Sequence, residues 1–397
     1  MNTATIFGHL KTLYKTIGTR PVGSLPNRQA MEYIGKYLEC LGYPVKYQLF
    51  SCNDWNVNQV SCRVSGQEFT LVVNPFSPSC ALHAPVLPLQ TIDDLRGANM
   101  TDKIAVLYGD LAGESLMPKK FPFFQSESHR EIIGLFEEKK PGAIIFIAET
   151  DFPVPLIIDG DFSIPSGTMS GKDRTLLLKH PGEIMELSIK TESYPARAAN
   201  VICKTPGEGK KILLCAHFDT KYYTPGALDN SSGVAALMVL ADRLRRSAPK
   251  IPIEFVFFNG EECYNIPGEM AWLSSEEVSP ETILFAVNID GIGLKGHLSS
   301  IAYFSCPAEM ESVLEETRSR YPGLVKADPW PQGDHMMFAL KKIPTIACTT
   351  SAGFEEVERI IHTPSDTMDN LDIGRIMVTI DAIEALIRKI SDMYVHC

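Results

Sequence analysis

No stretch of this 397-residue chain approaches the roughly 20 consecutive apolar residues that a membrane-spanning helix needs. Positive charge is not in excess: 37 Lys and Arg face 48 Asp and Glu, for a net charge of −11. Spread along the chain, those acids argue against a nucleic-acid groove or an anionic membrane surface as partner. The ten cysteines contain no CxxC pair and no framework spacing. They read as reduced, mostly buried thiols of a cytoplasmic protein. No secretory signal opens the sequence. Residues 1–20 read instead as a short amphipathic helix with Ile6, Leu10, Leu13 and Ile17 at helical spacing. A secreted location is expected only if a leader has been removed. Internal repeats and low-complexity tracts are also missing.

What is present is the composition of an ordinary soluble globular protein, 45% apolar and 21% charged. The length favours two or three domains. Near the start, Leu25 to Leu41 carries apolar residues at helical spacing, with Pro26 close to its beginning and Gly42 as its stop. Val45 to Phe50 then alternates as a strand does. From about Asn56 to Tyr194 short β-like runs dominate: Glu68–Val73, Lys103–Tyr108, Ala143–Ala148 and Ile184–Lys190, with one helix near His129–Lys140. This stretch carries no catalytic cluster and reads as a β-rich domain, 56–194, inserted into a host made of 1–55 and 195–397.

From Ala199 onward strands and helices alternate. Lys211–Phe218, Ile253–Asn259, Leu284–Ile289 and Thr345–Thr349 are apolar runs of the kind that parallel sheets bury on both faces. Ser231–Arg246 places Val234, Leu237, Met238, Ala241 and Leu244 on one helical stripe, and Ile373–Tyr394 closes the chain as a helix. The expected fold is α/β: a mixed, mostly parallel sheet sandwiched by helices.

Such sheets gather functional groups beyond the carboxyl ends of their strands. His217 and Asp219 end the first of these runs, Glu261 and Glu262 the second, and Asp290 the third. Asp229 precedes a helix start, where negative charge is favoured, and His362 lies in a loop. His217, Asp229, Glu262, Asp290 and His362 together make a ligand set for two adjacent divalent metals. One carboxylate must bridge the pair, leaving each metal an imidazole and one further carboxylate. Imidazole and carboxylate without thiolate suit zinc, with cobalt or manganese as alternatives. Glu261, in the turn after its strand, is placed to take a proton from an attacking water. Asp219, two residues beyond His217, falls on the same side and is placed to orient that imidazole. Taken singly, each of these residues has a plain structural reading; the ordered set does not.

The motifs HFDT, GALDNSSG, NGEE, NIDGIG, GDH and HTPSDTMDNL resemble those of the co-catalytic zinc aminopeptidases of the M28 type. The resemblance covers about 1–55 and 195–397. The inserted segment, with KIAVLYGD, GAIIFIA and IPSGTMS, resembles the protease-associated (PA) domain that many relatives carry at this place. The resemblance implies that Asp229 bridges two metals, that His217 and Asp290 hold one, and that Glu262 and His362 hold the other. It implies Glu261 as general base and then acid, and peptides with a free N-terminus as substrates.

Where relatives show Ser-Asp-His this chain has Gly333-Asp334-His335. His335 is read as a substrate contact or, more simply, a structural support. Trp330 and Met336 are candidates for the specificity pocket, with core packing the plainer role for Met336. The remaining histidines, 9, 83, 129, 180, 297 and 396, read as surface or structural. Competing readings are a glutaminyl-peptide cyclotransferase on the same fold, which typically works with one zinc and lacks the insertion, and a binding protein on an inactive scaffold. A carboxypeptidase relative is disfavoured by the single helix after HTPSDT. Homo-oligomers stay open.

Overall fold

The computed structural model describes residues 3–122, 126–247, 249–275 and 278–394; His396 and Cys397 lie outside them. The chain divides into two compact units. One comprises Met1–Cys52, Ala196–Glu262 and Ile266–Cys397, the other Asn53–Pro195 with Cys263–Asn265.

The first unit is built on a sheet whose strands, in chain order, are β1 (Val45–Val64), β2 (Ile184–Lys204), β3 (Lys211–His217), β4 (Ile253–Phe258), β5 (Ile283–Ile289), β6 (Ser299–Phe304), β7 (Leu324–Lys326) and β8 (Thr345–Thr350). Their spatial order is β7-β6-β8-β5-β3-β4-β2. The centre is parallel: β3 pairs with β4 and β5, and β5 with β8, all parallel. β2 and β6 join antiparallel, giving the mixed, mostly parallel sheet that the alternation predicts. β1 and β2 outrun the six- or seven-residue runs visible in sequence, because each continues from one unit into the other.

The helices of this unit are α1 (Thr3–Leu10), which runs on as a wider π turn over Lys11–Ile17, α2 (Leu25–Cys40), α3 (Ser232–Arg246), α4 (Pro267–Leu273), α5 (Ala308–Ser319), α6 (His335–Leu340), α7 (Phe354–Glu358) and α8 (Ile373–Tyr394). Ser24 caps α2 through the Asn27 backbone N–H, with Pro26 in the first turn. The single stripe expected on α3 is an underestimate. Ala235, Ala236, Val239 and Leu240 are buried as fully as Val234 and Leu237, because α1, α2 and α8 pack around a helix that also lies on the sheet. α4, α5 and β6 were not foreseen. β6 mixes serine with apolar residues, and α4 holds only seven residues, too few for a periodic signal.

The second unit has strands at Cys80–Leu89, Ile104–Leu107, Ala143–Ile147 and Ser166–Met169 that pair parallel in that order, while Val72–Val73 joins Ser166–Met169 antiparallel and the start of Cys80–Leu89 pairs antiparallel with β2. Helices Ile92–Gly97 and Glu127–Lys139 supply Leu95, Ile132, Ile133 and Phe136 to a core shared with Leu107, Ile144 and Phe146. Parallel pairing with helical cover makes this unit more α/β than its short β runs suggest. Among the described residues no helix is long and apolar enough to cross a membrane.

Candidate metal centre

The register of the parallel strands sets the site. Phe258 pairs with His217, and Asn288 with Cys215, so β3, β4 and β5 end along one edge of the sheet. His217 is the last residue of β3 and 1% exposed, while Asp290 directly follows β5.

Asp229 arrives from a turn that several groups hold in place. The backbone N–H of Leu228 donates to Asp366 Oδ1 (2.6 Å) and that of Asp229 to Asp366 Oδ2 (3.1 Å). Asn230 Nδ2 donates to Ile289 O (2.9 Å), and Asn230 Oδ1 accepts from the N–H groups of Gly233 (2.9 Å) and Gly291 (3.3 Å), tying this turn to the one that carries Asp290. A Cβ on Gly233 would stand 2.2 Å from Ile289 O, so only glycine lets α3 start this close to β5. From below, the fully buried Arg20 guanidinium donates to Phe218 O (2.5 Å), Pro225 O (3.2 Å), Gly226 O (3.3 Å) and Ser231 Oγ (2.9 Å).

Two groups of donors result. In one, His217 Nε2 lies 3.1 Å from Asp229 Oδ1 and 3.5 Å from Asp290 Oδ1. In the other, His362 Nε2 lies 3.0 Å from Asp229 Oδ2 and 3.1 Å from Glu262 Oε1. In each group one ligand atom per residue lies within 4.8 Å of the others. Asp229 thus turns one oxygen to each imidazole. Ligand atoms bound tetrahedrally at 2.0–2.1 Å stand roughly 3.3–3.4 Å apart, close to these separations. His217 Nδ1 and Nε2 and Glu262 Oε1 are buried without a well-aligned hydrogen bond, as expected of donors aimed at a common centre rather than at each other. Burial opposes charge on His217, yet Asp290, Asp219 and Asp229 raise it well above the ordinary histidine range. The set calls for positive charge, which divalent cations supply; the donors fit them.

Asp219 does something the sequence reading missed. Its Oδ1 is 3.6 Å from His217 Nδ1, on the expected side but beyond hydrogen-bond length. Its two oxygens instead accept the backbone N–H groups of Glu261 (3.2 Å) and Glu262 (3.1 Å). One carboxylate thereby positions the turn that carries both glutamates. Burial, with Glu262, Asp334 and Asp290 adding to it against His217, holds the Glu261 carboxyl well above its usual range, so it is a stronger base when ionised. His362 takes a left-handed backbone (φ +58°), unusual for a non-glycine residue.

His335 donates through Nε2 to Trp330 O (3.0 Å) and packs its ring against Phe304 and Trp330. Met336 is half-buried; core packing falls to its neighbour Met337, 1% exposed. His9 is a buried structural residue bonded to the Tyr33 hydroxyl (2.7 Å), while His83 is exposed and His129, in the second unit, accepts from the Met117 N–H (3.1 Å). Sequence reading also passed over Lys221. Its Nζ lies 3.0 Å from His362 Nδ1 and 3.5 Å from Glu262 Oε2. A lone cation four residues after His217, among so many acids, was the available signal. Burial opposes its charge, but Glu262, Glu358, Asp229 and Glu261 outweigh that and keep it protonated.

Fold and donor set together define the class: an α/β protein with imidazoles and carboxylates gathered at the carboxyl edge of its sheet. The chain is similar over 98% of its length, and 95% of the other's, to a zinc aminopeptidase from Bacillus subtilis (TM-score 0.80, 19% identity). A glutaminyl cyclase of Tannerella forsythia is similar over 98% of both chains, with a TM-score of 0.54 and 14% identity. In sequence the chain is 25% identical over 246 residues to the aminopeptidase YwaD of Bacillus subtilis, matching 56% of this chain and about half (52%) of that protein. The sequence model of peptidase family M28 matches residues 200–387, a little under half of the chain. The matched stretch begins inside β2 and includes all five donors and Glu261.

Proposed function

We propose that this protein is a metal-dependent aminopeptidase that removes N-terminal residues from peptides at a centre of two divalent ions, zinc first. The observation that carries the reading is Asp229, with one oxygen facing His217 and the other facing His362. Asp229 would be shared between the two ions, with His217 and Asp290 holding one and Glu262 and His362 holding the other. When bound, such a pair polarises a carbonyl and acidifies a water. Glu261, adjacent to Glu262 but outside both donor groups, would accept a proton from the attacking water and return it to the leaving amine. Asp219 holds the Glu261–Glu262 turn against β3. The carboxylates around the centre favour a substrate ammonium or amine. The aminopeptidase names of the relatives support the exopeptidase reading. The middle unit is proposed as a PA-like insertion, and a cytoplasmic location remains the proposal for this chain.

The cyclase reading has the likeness to the Tannerella forsythia enzyme behind it. The two complete donor groups weigh for the peptidase. Zinc-supplemented protein assayed on aminoacyl chromogenic substrates, beside an N-terminal glutaminyl peptide, separates the two. Free amino acid without pyroglutamate is expected; pyroglutamate as the product would replace this proposal with the cyclase.

A further inference from the structure

The two donor groups differ in what stands behind the imidazole. Behind His217 Nδ1 is a carboxylate, Asp219 Oδ1 at 3.6 Å. Behind His362 Nδ1 is a cation, Lys221 Nζ at 3.0 Å, which also contacts Glu262 at 3.5 Å. Glu358 Oε2, at the end of α7, lies 3.7 Å from the same Nδ1.

An imidazole that coordinates through Nε2 carries its proton on Nδ1 and needs an acceptor there, as carboxylates behind metal-bound histidines provide. A lysine ammonium has three donors and no acceptor. Each Nδ1 has a carboxylate at similar range, Asp219 at 3.6 Å and Glu358 at 3.7 Å, but only His362 Nδ1 also meets an ammonium, at 3.0 Å, which is the wrong sense for a metal-bound imidazole. A divalent ion between His362 and Glu262 also meets a like charge already in contact with both residues, whereas among the described residues no lysine or arginine pairs with His217 or Asp290. Like charges in a partly buried site cost more than in water.

Resting on the two-metal reading above, we propose that Lys221 makes the two positions unequal. The His217–Asp229–Asp290 position fills first, and the Asp229–Glu262–His362 position fills second and more weakly. Filling the second moves the Lys221 ammonium off His362 Nδ1, so that Nδ1–H donates to Glu358 instead. Lys221 is a positioning residue that sets metal affinity, not a ligand.

The test is calorimetric zinc titration of the metal-free full chain, with a competing chelator to resolve the steps. The wild-type protein is expected to show two steps, the second weaker by about tenfold or more, and Lys221→Met to tighten that step by a similar factor while leaving the first nearly unchanged. His362→Ala should remove the weak step and keep the strong one. Lys221→Arg, which keeps the charge, should keep the gap, and it serves if the Met variant does not fold. Two equal wild-type steps, or a second step that Lys221→Met leaves unchanged or weakens, would overturn this inference alone. A single zinc in wild type and in Lys221→Met would sink the two-metal reading and this inference with it.

Discussion

Asp219 Oδ1 accepts the backbone N–H of Glu261 at 3.2 Å, so the end of one parallel strand fixes the turn at the end of its neighbour. Asn at this position keeps the shape but replaces one acceptor oxygen by a donor, which then faces an N–H group. Asp219→Asn is expected to lower kcat by about 10–100-fold, with a loss of metal affinity in the same range. Steady-state kinetics together with zinc per chain checks it; unchanged values for both would remove Asp219 from the positioning of the site.

Glu261→Gln removes the base and leaves all five donors. It should bind zinc as the wild type does while turnover falls by about 10²–10⁴-fold. Near-normal activity at full zinc occupancy would take Glu261 out of the mechanism.

Gly233→Ala places a Cβ 2.2 Å from the Ile289 carbonyl oxygen, a backbone atom that cannot move without shifting β5 and Asp290 with it. Overpacking of this kind costs about 1–3 kcal/mol. Because the clash is at the donor turns, zinc affinity should fall along with the unfolding midpoint. A variant that matches wild type in both denaturant unfolding and zinc titration would contradict the close approach.

His9 supplies a pH dependence away from the metal centre. Burial lowers it from the ordinary 6.5 to about 4, with Asp242 opposing in part. Between those values the unfolded chain binds a proton that the folded chain excludes, so stability rises with pH across that window. The contribution is fully present above about 6.5 and lost as pH falls toward 4, on the order of 3 kcal/mol in all. Denaturant unfolding of wild type and His9→Gln between these limits should show wild type losing stability more steeply on acidification. Parallel curves would show that His9 titrates alike in both states.

The elements that position the site were legible where local chemistry is loud. β3, β4, β5 and β8 are apolar runs of six or seven residues, and the helix before Gly42 announces its proline and its stop. Lone signals were weaker. β6 hides its strand character behind Ser299 and Ser300, which are buried because Ser299 Oγ accepts from the Thr379 hydroxyl and Ser300 Oγ donates to Thr350 O. The core role offered to Met336 went to Met337, because a six-residue helix leaves its inward face undetermined by pattern alone.

By itself the sequence determined the α/β alternation and the residue types at the strand ends, since both are written in short-range patterns of apolar and ionisable side chains. The contacts behind those residues were decided by tertiary structure. The pairing of Phe258 with His217 brings Asp219 to the Glu261 and Glu262 N–H groups, and the return of the chain after β8 brings His362 to Lys221. Hydrogen-bond partners of this kind depend on strand register and loop path, which no local pattern of residues encodes.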